Sequence, residues 1–478
     1  MNVYSLLEQA AQKWPTNFAI HEDSGSITFS ELLEQTEVLR NKLANLKIEK
    51  GIGIGIMVQN SSMFIRCLFA GIGCNAVVMP ISHQLKKAEL DQLIKEAGLH
   101  VIIDDYSGIA PDTVLQEIIS TVSGNLRVGF TSISQEQSIA PHIADAAFIR
   151  FTSGTTGKSK GVIISHKAVW ERVEAANAAL QLGPSDAVIW VLPMAFHFLV
   201  SIVLYIRYGA AIIICKDFLA NTILDAGERY KGTLLYASPM HIRLLASDKT
   251  ERKFTCLKHV ISTSTAISSS FCEAFKKRFS IDVSQAYGII EIGLPIINLQ
   301  KSALHPDAVG HALPAYSVEI LSTNFEVLPA NTLGKLAIKG PGMFDGYLSP
   351  PQLKADIVKN GWFLTGDLAI KNEEGLITVK GREKSMINVS GNKVFPEEVE
   401  QVLNLHPAIA DCKVFGIEHA LLGETVKAMV VLHQPESIGV DELADFCRSR
   451  LSTYKVPQFI EFTTQLEMTG SGKIKRSS

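Results

Sequence analysis

Residues 151–162, FTSGTTGKSKGV, combine small, hydroxyl-bearing and basic side chains in one short stretch. Apolar or β-branched residues lie on both sides, which predicts a strand, a glycine-rich loop and a second strand. Glycines tolerate positive φ, so such a loop can turn its backbone N–H groups towards a ligand. Because the hydroxyls and lysines add donors and positive charge, we expect a polyphosphate ligand. The loop residues assigned to it are Thr152, Ser153, Gly154, Thr155, Thr156, Gly157, Lys158 and Lys160.

The spacing of this loop differs from that of the common phosphate-binding loop. That motif places four residues between its first glycine and its Gly-Lys pair. Here two threonines separate Gly154 from Gly157, and a strand rather than a helix is expected to follow. Taken alone, the loop is also explained as a turn with two surface lysines, and the stretches downstream favour the phosphate site.

The stretch YGIIE joins an aromatic ring, a glycine and a carboxylate. Tyr287 can stack on a base, and Glu291 can hold a hard cation such as Mg²⁺, which takes oxygen ligands. An ordinary strand end with a surface glutamate is the alternative interpretation.

Three further polar residues suit a nucleotide. Asp367, in GWFLTGDL, is predicted in a turn after an aromatic strand, where its carboxylate can accept both hydroxyls of a ribose. Arg382 can reach the same sugar or a phosphate, and Lys473 lies in the glycine-flanked segment TGSGKIKR. Taken singly, these are equally well turn residues, surface ion pairs or solvated lysines.

The elements that position these residues change in type along the chain. Strand and helix patterns alternate over the first 300 residues, which predicts a parallel sheet covered by helices. Within this part, Ser30 is predicted to cap a helix, and residues 111–146 are expected to form a variable surface region.

Short strands separated by glycine and asparagine turns dominate from 300 to 380, which predicts a small antiparallel or barrel-like subdomain. The remaining residues have the pattern of a compact α+β unit. We place the boundary at Lys384, which gives domains 1–383 and 384–478.

Composition bounds the class of protein. A chain of 478 residues exceeds what one core usually supports, so at least two domains are expected. The net charge of −3 gives no sign of a nucleic-acid or membrane partner. Seven scattered cysteines without a close CxxC pair predict reduced thiols in a cytoplasmic protein. The most apolar stretch, 198–215, is interrupted by Arg207 and Gly209, so it is interpreted as a buried helix and strand and not as a membrane span.

Taken in order, these stretches resemble those of the adenylate-forming superfamily, which includes acyl- and aryl-CoA synthetases, firefly luciferase and the adenylation domains of peptide synthetases. The resemblance runs from ITFSELL near the start to GKIKR near the end. It implies an α/β fold with a large N-terminal domain of helix-covered sheets and a small β-barrel-like subdomain, followed by a small mobile α+β domain. It also implies a two-step reaction in which a carboxylate and ATP give acyl-AMP and pyrophosphate, and a thiol then displaces AMP.

The resemblance assigns roles to individual residues. Lys160 and the loop would hold the β- and γ-phosphates, and Glu291 with Thr155 would hold Mg²⁺. Lys473 would lie between the attacking carboxylate and the α-phosphate, and Asp367 and Arg382 would hold the ribose. The residues around the adenine would be Ser264, Thr265, Ala266, Ala286, Tyr287 and Gly288. Lys384 would be the hinge of the small domain, and Gly391 would lie on the face turned towards the thiol channel.

The sequence departs from the family pattern at three places. Ser159 replaces a usual proline, and Ile290 replaces a usual threonine. In LPMAFHF, Phe196 occupies the aromatic gate position and His197 falls one residue later than usual. His197 is either a ligand for a hydroxyl or amide of the acid or a residue satisfied at a helix start. Thr263 stands where a glycine often lines the acyl pocket, which favours a small or medium aryl or short acyl acid.

Three functions follow as hypotheses. The chain is a carboxylate–CoA ligase, or it loads the phosphopantetheine arm of a separate carrier protein. A non-catalytic nucleotide-binding protein is the third, for which Ser159 and Ile290 are the support.

Overall fold

The computed structural model describes residues 2–136, 138–151, 160–419, 422–435 and 437–467. The predicted phosphate residues 152–158 and the predicted lysine at 473 lie outside these ranges, as does the departure at 159.

Helices occur in both parts of the described chain. They are α1 (Tyr4–Lys13), α2 (Phe29–Asn45), α3 (Ser62–Gly73), α4 (Lys87–Ala97), α5 (His166–Leu180), α6 (Met194–His197), α7 (Ile202–Tyr208), α8 (Ala220–Arg229), α9 (Pro239–Ser247), α10 (Ser269–Phe279), α11 (Lys354–Ile357), α12 (Pro396–Leu403) and α13 (Val440–Arg448), with 3₁₀ turns at Glu383–Ser385 and Thr453–Lys455.

The strands are β1 (Phe18–Glu22), β2 (Gly25–Thr28), β3 (Gly53–Met57), β4 (Val77–Pro80), β5 (Val101–Asp104), β6 (Leu115–Thr121), β7 (Gly124–Phe130), β8 (Ala146–Phe151), β9 (Gly161–Ser165), β10 (Ala187–Trp190), β11 (Ala211–Ile214), β12 (Leu234–Ala237), β13 (His259–Ser262), β14 (Val283–Ile289), β15 (Gly293–Ile297), β16 (His311–Ala312), β17 (Ser317–Leu321), β18 (Gly334–Lys339), β19 (Gly346–Tyr347), β20 (Gln352–Leu353), β21 (Phe363–Lys371), β22 (Ile377–Arg382), β23 (Ile387–Val389), β24 (Asn392–Val394), β25 (Ile409–His419), β26 (Gly423–Leu432) and β27 (Phe459–Phe462).

Two large sheets form the first part of the chain. One has the order β16-β15-β14-β13-β12-β10-β11-β1-β2, and the other has the order β20-β19-β9-β8-β4-β3-β5-β7-β6. Parallel pairs occupy the middle of each sheet and antiparallel pairs lie towards the edges. A four-stranded antiparallel sheet, β17-β18-β21-β22, follows, and the small domain has the sheet β24-β23-β26-β25 with β27 on β26. The predicted α/β fold with a small α+β domain is confirmed.

The largest core joins both sheets through the helices between them. It contains buried residues from α1, α2, α3, α5 and α7 together with alternate residues of the strands, such as Val188 and Trp190 of β10. Ile189, between them, packs into a second core with α8, α9 and α10. Burial on both faces explains why these strands have continuous apolar sequences. No helix in the described ranges has the length and apolar character needed to cross a membrane.

One local prediction is wrong, and one strand pair was not predicted. The cap of α2 is Thr28 and not Ser30, because the Thr28 hydroxyl accepts from the Glu31 N–H while the Glu31 carboxylate accepts from the Thr28 N–H. The region 111–146 also contains regular structure, the antiparallel pair β6–β7 at the sheet edge. The outer strand β6 is largely exposed, so its sequence lacks the alternation by which strands are recognised.

The small domain contacts the large one through α9. Arg243 Nη1 donates to the carbonyl of Ala410 at 2.8 Å, and Nη2 lies 3.1 Å from His433 Nε2. Closer to the connection between the domains, Glu383 forms an ion pair of 2.9 Å with Lys335 of β18.

Candidate active site

Lys160 lies immediately before β9, at one end of the predicted phosphate loop. Phe151 and Gly161 are register partners in the antiparallel pair β8–β9, so the loop connects two strand ends that lie side by side. The Lys160 ammonium lies 4.5 Å from the ring centroid of Tyr347, whose strand β19 pairs with β9. A Cβ at position 161 would come within 2.9 Å of the Leu348 Cβ, so a glycine permits this approach.

Glu291 lies in the turn between β14 and β15 and meets the same tyrosine. The Tyr347 hydroxyl donates to Glu291 Oε1 at 3.2 Å. Burial raises the pKa of the Glu291 carboxyl, and this hydrogen bond and the charges of Arg382 and Arg172 act in the opposite direction. Gly288 permits the turn, because a Cβ there would lie 2.6 Å from the Gly293 carbonyl oxygen.

These residues fit a magnesium ion held mainly by its nucleotide. In the described part of the chain, no three His, Cys, Asp or Glu side chains are grouped to hold a metal. Mg²⁺ is often bound by only one or two carboxylates together with phosphates and water. The carboxylate of half-buried Glu291, whose ionised form desolvation disfavours, matches that donor set. Thr155, its expected companion, lies outside the described residues.

Asp367 lies within β21 and not in the turn that the sequence predicts. The strand is irregular at this point: Gly366 has a φ of 79°, and the pairing register with β22 shifts next to Leu368. Asp367 is buried, with 5% of its surface exposed. Its carboxylate accepts from the Tyr287 hydroxyl and pairs with Arg382 Nε at 2.9 Å.

Arg382 reaches Asp367 because the two residues are register partners across β21 and β22. Its Nη1 also donates to the Thr365 carbonyl at 2.9 Å. The predicted ribose residues are therefore adjacent and fixed by the sheet.

The predicted adenine residues come from two neighbouring parallel strands. Residues 264–266 follow the end of β13, and Ala286, Tyr287 and Gly288 lie near the end of β14. Ser264 has a φ of 80°, and residues 265 and 266 are exposed. The carboxyl ends of neighbouring parallel strands are the usual ligand-binding edge of an α/β sheet.

The predicted acid-pocket residues lie beside this edge. Phe196 and His197 belong to the short helix α6, and His197 Nε2 lies 3.5 Å from Ser264 Oγ. Thr263 is buried next to the hydroxyl of Tyr236, and the ring of Tyr236 stacks on Trp190. Thr263 thus belongs to the packed wall below His197 and Ser264.

The hinge and thiol-channel candidates are exposed. Lys384 lies in the 3₁₀ turn directly after β22, and Gly391 occupies the tight turn between β23 and β24 with a φ of 86°. Both positions are compatible with their predicted roles, which no contact in the described residues tests.

One functional candidate was missed by the sequence reasoning. Tyr347 connects Lys160 to Glu291, and the electrostatic influence of Arg382 on Glu291 connects both to Asp367. The glycine-rich segment GPGMFDGYL around Tyr347 was a signal, since glycines at close backbone approaches often accompany a site. The residues predicted for the phosphates, the metal and the ribose are therefore linked by the Lys160–Tyr347–Glu291 contacts, the Asp367–Arg382 pair and the charge of Arg382 acting on Glu291.

The fold and this site define a class of two-domain enzymes that bind a nucleoside polyphosphate at the edge of an α/β sheet. Comparison with known families specifies the class. The AMP-binding enzyme family model matches residues 7–348, and the model for the AMP-binding enzyme C-terminal domain matches residues 398–473. The chain belongs to the AMP-binding enzyme family and is an ATP-dependent, AMP-forming acid–thiol ligase.

Relatives match nearly the whole chain. A 2-succinylbenzoate–CoA ligase of a Geobacillus species is 28% identical, with 98% of this chain and 95% of the relative covered. A feruloyl-CoA synthase of an Amycolatopsis species is 25% identical, with 97% and 95% covered. The structure of the Bacillus subtilis o-succinylbenzoate CoA synthetase with its acyl-adenylate superposes with a TM-score of 0.87 at 23% identity, covering 100% of this chain and 97% of that one. At that identity the superposition supports the fold.

Proposed function

We propose that this chain joins a small or medium carboxylic acid to CoA through an acyl-adenylate. The observation that carries the proposal is that Tyr347 contacts both Lys160 and Glu291, while Arg382, which pairs with Asp367, acts on Glu291 through its charge. The first step brings two anions together, the acid and the α-phosphate, so the site has to offset their repulsion. This set of residues supplies cationic and hydrogen-bonding groups suited to that task.

At the phosphate end, Lys160 and the loop at 152–158 would bind the β- and γ-phosphates. Magnesium on Glu291 and Thr155 would add Lewis-acid stabilisation of the phosphate charge. The Tyr347 hydroxyl favours the ionised form of Glu291, which is the form that binds a cation.

At the nucleoside end, Asp367 and Arg382 would hold the ribose, with the base between Tyr287 and the segment 264–266. The Tyr287 hydroxyl is held by Asp367, so the ring has a fixed orientation before the nucleotide binds. Such preorganisation reduces the entropy cost of binding.

The second step would need a different arrangement of the small domain. The proposed boundary between 383 and 384 falls in the 3₁₀ turn Glu383–Ser385, and Lys384 would act as the hinge. Rotation there would withdraw Lys473 and bring the face around Gly391 to the thiol, as in other short-hinge closures.

The thiol acceptor is proposed from the relatives. The relatives named above are CoA ligases or CoA synthases, which supports CoA over a carrier-protein phosphopantetheine arm. The same relatives and the complete set of cleft residues argue against a non-catalytic nucleotide-binding protein. The cytoplasm remains the proposed compartment, supported by seven free cysteines.

Acid-dependent exchange of labelled pyrophosphate into ATP tests the first step. We expect exchange with some members of a panel of aryl and short acyl acids, and no exchange with any acid would refute the proposal. Product analysis with CoA and with a holo carrier protein then separates the two acceptors, since thioester should form on CoA.

Lys473→Ala tests the assignment of the two steps. Removing a positive charge from the developing transition state should lower exchange by about 10²- to 10³-fold. Thioester formation from supplied acyl-AMP should remain largely intact. Equal loss of both steps would contradict the proposed role.

A further inference from the structure

Arg150 occupies an unassigned position at the edge of the acid pocket. It lies on β8 two residues after Phe148, so the two side chains share a face of the strand. That face meets α6 and the residue after it: Phe148 packs on Phe198 with ring centroids 4.9 Å apart, and the Arg150 guanidinium lies 4.5 Å from the Phe196 ring centroid. Arg150 Nη1 also donates to the Ala195 carbonyl at 2.9 Å.

The charge of Arg150 has no carboxylate to balance it in the described residues. Burial lowers the pKa of its guanidinium to about 9, and no charge among the described residues opposes this effect. The stretch 152–159, which follows β8, contains no Asp or Glu. By contrast, Arg127 is held by the buried carboxylate of Asp104 at 2.8 Å. A desolvated charge without a partner is unfavourable, so an arrangement of this kind is suited to an anion that arrives with a ligand.

Arg150 differs from the other arginines that lack an ion pair in the described core. Arg66 and Arg172 are fully buried, with 2% and 1% of their surfaces exposed. Arg150 is only partly covered, and its neighbours Phe196 and His197 are partly covered too. Arg150 is therefore less enclosed than Arg66 and Arg172, and part of its surface stays open beside Phe196.

We propose that Arg150 is a specificity-determining residue that binds a second anionic group, a carboxylate, on the acid substrate. This inference rests on the proposed function, because it assigns a substrate class, dicarboxylic acids, to the same pocket. One carboxylate of the diacid would react at the nucleotide, and the other would pair with the guanidinium beside Phe196. A planar guanidinium held on an aromatic ring presents its remaining N–H groups in a fixed direction, which suits a carboxylate.

The nucleotide polyphosphate is the other anion that this strand could meet. The contacts favour the acid as the ligand of Arg150. The Arg150 guanidinium lies over the ring of Phe196 in α6, whereas the Lys160 ammonium, at the other end of the loop, lies over the ring of Tyr347. The two cations thus face different aromatic rings, one at the predicted gate of the acid pocket and one beside Glu291.

The test compares matched acids in pyrophosphate exchange with the full-length protein. Each pair consists of an aliphatic or aromatic dicarboxylic acid and its monoamide, which has the same shape without the second charge. We expect the wild-type protein to prefer the diacid, and Arg150→Met to lower kcat/KM for the diacid by about 30-fold or more, as when one partner of a buried charge pair is removed. The monoamide rate and the KM for ATP should change less than about threefold, within the spread of measured contributions for a residue outside the reaction.

Arg150→Lys is the matched control that keeps the charge but loses the planar fork, and it should retain part of the diacid preference. If Arg150→Met unfolds, as thermal unfolding would show, Arg150→Gln repeats the test, because it can still donate to the Ala195 carbonyl.

Three results would overturn the inference: equal use of diacid and monoamide by the wild type, equal loss of both in Arg150→Met, or a raised KM for ATP as the main effect. Absence of exchange with every acid would instead refute the proposed function.

Discussion

The hydroxyl of Tyr347 offers a direct test of how the site is built. Tyr347→Phe keeps the ring beside the Lys160 ammonium and removes only the donor to Glu291. Hydrogen bonds to charged groups contribute about 1.5–3 kcal/mol. At 3.2 Å this bond is longer than the about 2.5–3.0 Å usual for O–H···O, so we expect about 1–2 kcal/mol, or about 5- to 30-fold in kcat/KM for pyrophosphate exchange.

The pH profile gives a second, more specific readout of the same variant. Burial raises the pKa of Glu291 and the Tyr347 hydroxyl lowers it, so removing the hydroxyl should raise that pKa further. The protonated carboxyl then persists to higher pH, and since the ionised form is the proposed cation ligand, the acid limb of the profile should move to higher pH. The apparent affinity for Mg²⁺ should fall in parallel.

Tyr316→Phe is the control for this experiment. Tyr316 Oη is buried and has no hydrogen-bond partner among the described residues, so its removal should leave exchange and the pH profile unchanged. A Tyr347→Phe variant with wild-type rate and an unmoved acid limb would refute the argument that this hydroxyl tunes Glu291.

Two further predictions concern the ribose site and the domain contact. Asp367→Asn removes the charge that faces Arg382 at 2.9 Å and should raise the KM for ATP by about tenfold, a cost of about 1.4 kcal/mol; an unchanged KM measured by ATP titration would place the ribose elsewhere. Arg243→Gln removes the donors to Ala410 and His433 and should speed amide hydrogen exchange near the start of β25 by about five- to tenfold, about 1 kcal/mol of lost contact. Unchanged protection of that strand would show that the contact does not hold the small domain.

Periodicity predicted most of the large domain because its elements are long or fully buried. The alternation of strands and helices follows from local signals that tertiary packing reinforces; α4, for example, ends at Gly98, which adopts a φ of 66°. The pair β6–β7 was missed because an edge strand with much of its surface exposed has no buried face to impose alternation. Ser30 was wrongly predicted as the cap because the capping box begins two residues earlier, at Thr28, whose partner is Glu31.

The site was predicted less completely, for reasons of distance along the chain. Ordered motifs identified Glu291, Asp367 and Arg382, but the irregularity at Gly366 was interpreted as a turn because glycine is common in both. Tyr347 lies 56 positions from its partner Glu291, and no spacing rule connects them. Arg150 was overlooked because in the sequence it is a single charge within an apolar strand pattern. Its contacts with Ala195 and Phe196 of α6 exist only in the folded chain.

Strand β22 has a consequence for communication within the molecule. It ends at Arg382, which pairs with Asp367, and the next three residues form the turn that leads into the small domain. A ligand that immobilises Arg382 therefore restrains the end of the strand two residues before the proposed pivot at Lys384. Thermodynamic reciprocity then requires that any molecule favouring one orientation of the small lobe alters nucleotide affinity by the same factor. Binding of the thiol acceptor and binding of the adenylate would therefore be coupled through the backbone of residues 382–385.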